Sequence, residues 1–93
     1  MRIIGHIEHP DIKITVFKSD NRVSIKFENE GYEQTYKLGT DERSSTVEGV
    51  RQWVDAGFVA DVLKQLQAMH HSRLGAYRRA FPPEADMAFE EII

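Results

Sequence analysis

Residues 11–38 read DIKITVFKSDNRVSIKFENEGYEQTYKL, and the alternation of apolar and polar side chains along them decides the fold. Successive side chains of an extended strand point to opposite faces, so a period of two marks a strand with one buried side. Three runs keep that period: Asp11 to Lys18, Arg22 to Glu28 and Tyr32 to Leu38. Between them stand Asp20-Asn21 and Glu30-Gly31, both good turn formers. Connections that short force antiparallel neighbours. Two-residue loops set Val16 opposite Ile25, Ile14 opposite Phe27, Ile25 opposite Tyr36 and Val23 opposite Leu38. A slip by one residue at the second turn would pair Ile25 with Thr35 and mix the faces, which a half-buried sheet resists.

Working outward to the N-terminus, Arg2 to Glu8 alternates as well. A loop across His9-Pro10 places Ile7 opposite Ile12 and Ile3 opposite Val16. The expected fold is therefore α+β, with a four-stranded antiparallel meander over residues 2–38. Its buried face holds Ile3, Ile7, Ile12, Ile14, Val16, Val23, Ile25, Phe27, Tyr36 and Leu38, with Gln34 as its one polar member. Gly5 falls among them and marks a bulge or a close approach by a covering helix. The other face carries Arg2, Ile4, His6, Lys13, Thr15, Phe17, Lys26, Glu28, Glu33 and Lys37, a mildly positive surface on which Ile4 and Phe17 lie exposed.

Toward the C-terminus the period changes. Ser45-Thr46-Val47-Glu48 fits a capping box, predicting a short helix from Thr46 to about Val54 that Gly49 weakens. Asp55 is a natural N-cap for a longer one. Phe58, Val59, Val62, Leu63, Leu66 and Met69 recur at threes and fours, and Gly75 offers a left-handed C-cap. That predicts a helix over Ala56 to Leu74 packed across the apolar face of the sheet. The pattern does not separate two helices from one kinked helix. Helical character extends to residue 81, where Pro82-Pro83 stops it. Residues 84–93 form an acidic, apolar tail expected to dock on its own domain or a neighbour's.

Ninety-three residues suit one domain, 1–93. With 41% hydrophobic and 29% charged residues, wholesale disorder is not expected. The absence of cysteine excludes disulfides and thiolate zinc sites and suits a cytoplasmic protein. No apolar run approaches the ~20 residues of a membrane span, and the apolar start is too short for a signal peptide. A net charge of −3 argues against a dedicated nucleic-acid binder.

Chemistry-bearing clusters are sparse. His70 and His71 are adjacent and diverge on a helix, while His6 and His9 have no acidic partner that completes a metal site. Ser45 is explained by capping, and no histidine or lysine is placed to activate Ser44 or Thr46. Phosphate-binding glycine loops are absent. The sequence thus predicts no catalytic, cofactor-binding or metal residue, and an enzyme is not expected.

Charge is uneven at the end of the chain, however. From Gln65 to Arg79 there is no acid, while Arg73, Arg78 and Arg79 join the histidines. Cations favour a helix C-terminus because its last carbonyls are negative, which accounts for the patch His70, Arg73, Arg78 and Arg79. A sharper account pairs it with the acidic tail. Three functions remain open. The leading one is a non-enzymatic interaction module that self-associates, most simply as a dimer, through Arg2, Ile4, Lys13, Phe17, Lys26 and Lys37. The alternative is single-stranded nucleic-acid binding on that same surface. The β-β-β-β-α order is similar to the Pur-type single-strand binders, and that resemblance, which no motif accompanies, implies a curved sheet with basic and stacking residues. A small regulator of a protein partner is the third.

Overall fold

The computed structural model describes residues 1–83; the tail 84–93, and with it the expectation that it docks, lies outside the described residues. Strands β1 (Arg2–Ile7), β2 (Lys13–Ser19), β3 (Arg22–Asn29) and β4 (Tyr32–Gly39) form one antiparallel sheet in the order β1-β2-β3-β4. A 3₁₀ turn (Glu42–Ser44) leads to α1 (Val47–Arg51) and α2 (Ala56–Ala80). The architecture is α+β as the period changes require, and the two helices are separate.

The inner turns behave as their residues dictate. Val16 pairs with Ile25, Ile14 with Phe27 and Ile25 with Tyr36. Asp20 and Glu30 adopt positive φ (56° and 48°), the twist that two-residue hairpin loops demand. The outer registers differ from expectation. Val23 pairs with Gly39, not Leu38, because β4 carries a bulge there. The β1–β2 loop is not tight: Glu8–Ile12 separate the strands, and Ile7 pairs with Ile14. Pro10 lacks an N–H, and His9 folds the loop locally by accepting from the Asp11 amide at 3.1 Å. Ile12 still tucks into the core.

A second bulge sits between Ile3 and Gly5. The extra residue reverses the facing of everything before it. Ile3 pairs with Phe17 and is 56% exposed, whereas Ile4 packs against the core. Gly5 fulfils both its sequence-based readings, since it follows the bulge and a Cβ there would lie 2.6 Å from Val47 Cγ2 of α1. The short helix thus settles directly on β1.

One apolar layer results. Ile7, Ile12, Ile14, Val16, Val23, Ile25 and Phe27 of the sheet side meet Val50 of α1 and Val59, Val62 and Leu66 of α2. Phe27, Tyr36 and Phe58 pack edge to face, with centroids 5.1–6.0 Å apart. Gln34 and Gln65 share the Tyr36 hydroxyl, which lies 3.0 Å from Gln34 Oε1 and 2.8 Å from Gln65 Oε1 and donates its single proton to one of them at a time.

Capping explains the helix starts. Asp55 accepts from the Phe58 amide at 2.8 Å, as expected. At α1 the cap is Thr46, accepting from Gly49 at 3.1 Å, and not Ser45, whose hydroxyl donates to the Glu42 carbonyl. Glu48 pairs with Arg51 instead of closing a capping box. Before them Asp41 caps the 3₁₀ turn, and the Arg43 hydrogen bonds hold its carboxyl below its ordinary pKa. Gly75 does not end α2. It keeps negative φ inside the helix, which stops at Phe81 ahead of Pro82.

Candidate functional site

The length of α2 sets up the most distinctive surface. At 1.5 Å per residue its 25 residues span roughly 37 Å, beyond the roughly 26 Å of the eight-residue strand along which it lies. The helix runs antiparallel to β4: Tyr36 meets Phe58 and Gln65, and Tyr32 meets His70. Tyr32 opens β4 directly after the Glu30-Gly31 turn. No strand lies beneath the helix past that point. Leu66 is accordingly the last buried residue of α2.

The inward stripe nevertheless continues. Residues 70, 74, 77 and 81 follow Leu66 at helical spacing, and they are His70, Leu74, Tyr77 and Phe81. Tyr77 is 56% and Phe81 67% exposed, their rings 5.4 Å apart. Two large aromatic side chains thus lie exposed where the core has run out.

Where the stripe leaves the sheet, a cleft of about 710 Å³ opens between the β3–β4 turn and α2. Glu30, Tyr32, Leu63, Leu66, His70 and Arg73 shape it. Tyr32 Oη lies 2.9 Å from His70 Nδ1, tying the hairpin tip to the helix. Of the patch expected at the helix end, His70 and Arg73 meet at this cleft. Arg78 and Arg79 do not join them; they occupy the last turn of α2, roughly 8 Å further along the axis. No other described residue forms an ion pair with Arg73, Arg78, Arg79 or Glu30.

The sheet surface is less open than its residue types suggest. Lys13, Phe17, Lys26 and Lys37 do share the outer face. Arg2 and Ile4 do not, because the bulge turns Ile4 inward and pairs Arg2 with Lys18 on the other side; Ile3 takes the exposed place beside Phe17. Lys26 covers the Phe17 ring at 5.3 Å and pairs with Glu28 at 3.6 Å. Beneath these side chains Thr15 is only 2% exposed.

Among the described residues no three histidine or acidic side chains are grouped to hold a metal ion, and no helix is long and apolar enough to cross a membrane. His70 and His71 rings diverge, with centroids 6.1 Å apart. Periodicity in the sequence marks the apolar face of the helix as far as Met69, and Gly75, read as a stop, hides its continuation over Tyr77 and Phe81. No protein-family model, curated protein or solved structure matches this chain.

Proposed function

We propose that this chain is a non-catalytic interaction module that works by self-association, with the free end of α2 as the contact. The observation that carries the reading is the stripe Leu74, Tyr77 and Phe81 continuing the core face of α2 where the chain has no sheet left to cover it. Burying such groups contributes about 25 cal/mol per Å² of apolar surface removed from water, and symmetric pairing is the commonest way a soluble chain achieves it. The outer sheet face supports the nucleic-acid alternative less well. Its one aromatic ring is already occupied by Lys26, where single-strand binders use rings open for stacking.

Sedimentation velocity on the full chain over a wide concentration range tests the proposal. Two helix ends make an interface below the ~1,200 Å² of standard stable complexes, so a dimer forming at micromolar concentration is expected. A strict monomer at several hundred micromolar would refute it.

A further inference from the structure

We infer that β4 pairs antiparallel with β4 of a second copy about a two-fold axis at Thr35, joining two sheets into one. The inference goes beyond the contact proposed above, which lies at the α2 end, and neither contact requires the other.

The two borders of the sheet differ. At β1 a bulge between Ile3 and Gly5 interrupts the strand, and α1 settles against Gly5. At β4 the register runs unbroken from Tyr32 to Lys37. The two-residue Glu30-Gly31 turn makes Asn29 and Tyr32 a hydrogen-bonded pair. Bonded and non-bonded pairs then alternate along the two strands. Tyr32, Gln34 and Tyr36 therefore turn their amides and carbonyls toward β3, whereas Glu33, Thr35 and Lys37 turn theirs outward. Those three residues are exposed. On the inner face Tyr32, Tyr36 and Leu38 are only partly buried, although Val23, Ile25 and Phe27 beside them on β3 are fully so. The layer is unfinished at this border.

Charge selects both the occupant and its register. With the axis at Thr35, residues 33, 35 and 37 of one copy meet residues 37, 35 and 33 of the other, and every outward group is paired. Glu33 then stands opposite Lys37 twice, and Gln34 opposite Tyr36. An axis at Gln34 or Tyr36 forms no such charge pair, and one at Glu33 or Lys37 opposes like charges. Neither Glu33 nor Lys37 has an ion-pair partner among the described residues, and Glu33 faces Glu28 across β3. A lysine arriving from the second copy offsets that repulsion. Pairing of this isologous kind consumes the β4 border and closes at two copies.

Sedimentation velocity on the full chain carrying Tyr77→Ala/Phe81→Ala tests the contact, because that background lacks the exposed rings of the α2 end. The background is expected to dimerise. Adding Thr35→Pro removes the N–H at the axis and is expected to leave a monomer. That N–H faces away from β3, so the fold loses no ladder bond; circular dichroism checks it. Glu33→Lys and Lys37→Glu, each alone in the background, are expected to dimerise at least roughly tenfold more weakly. Their equimolar mixture is expected to form a heterodimer, since both cross-strand pairs become attractive again.

A background chain that is monomeric where wild type dimerises overturns the strand pairing and leaves the α2 end as the contact. A background dimer that survives Thr35→Pro overturns it as well, as does a mixture that forms no heterodimer. A background dimer as tight as wild type, lost with Thr35→Pro, supports the strand pairing and refutes the α2 end. A wild-type monomer at several hundred micromolar overturns both.

Discussion

Glu30 holds a left-handed backbone conformation that costs an L-residue with a long side chain more than it costs asparagine or glycine. Asn-Gly is the favoured pair for this hairpin turn. Glu30→Asn should therefore raise stability by about 0.5–1 kcal/mol, read as a higher urea midpoint at concentrations below association. Gly49 illustrates the reverse. Alanine would improve the intrinsic helix propensity of α1 by about 1 kcal/mol, yet a Cβ at this position falls on the Arg43 carbonyl oxygen. Because that neighbour is backbone, steric conflict outweighs propensity, and Gly49→Ala should destabilise the fold by about 1–3 kcal/mol in the same measurement. The sequence alone marks Gly49 only as a weak helix residue. Its packing role depends on the 3₁₀ turn folding back against α1, a contact that no local pattern encodes.

At the scale of elements, what could be read was whatever two independent constraints fixed together. Asp20-Asn21 and Glu30-Gly31 each join turn chemistry to face parity, and the registers around Ile25 follow. Ile3 and Ile4 are both apolar, so parity cannot say which faces inward, and the bulge that chooses Ile4 leaves no sequence mark beyond Gly5. Helix ends are similar. Asp55 is legible because its side chain has one good use there, and Asp55→Ala should cost about 1 kcal/mol, checked by thermal unfolding. Gly75 is ambiguous because glycine permits a left-handed stop without requiring one, and Ala76 to Ala80 are adequate helix formers. Reading the stop there conceals the last turns of α2, and with them the surface on which the proposed function depends.

For the whole molecule the consequence is uneven protection. Backbone amides of Val59–Leu66 lie between helix and sheet, whereas those beyond Arg73 have helical hydrogen bonds but no packed layer behind them. Hydrogen exchange in dilute solution should be slow over the first part of α2 and progressively faster toward Ala80. Raising the concentration should slow the last turns selectively, since association supplies the missing layer. Uniform exchange along α2 would contradict this division of the molecule. The two interruptions in strand pairing bear on a different hazard. The extra residue at Ile4 offsets the ladder near the β1 margin, and the one at Leu38–Gly39 does the same near the end of β4. The irregularity shortens the straight row of free amides at the β1 border, and at the β4 border confines it to Tyr32–Lys37; long straight rows are the template on which chains add without limit. The association proposed for the helix tip therefore differs in kind from open-ended strand addition at the sheet's flanks, which the bulges disfavour.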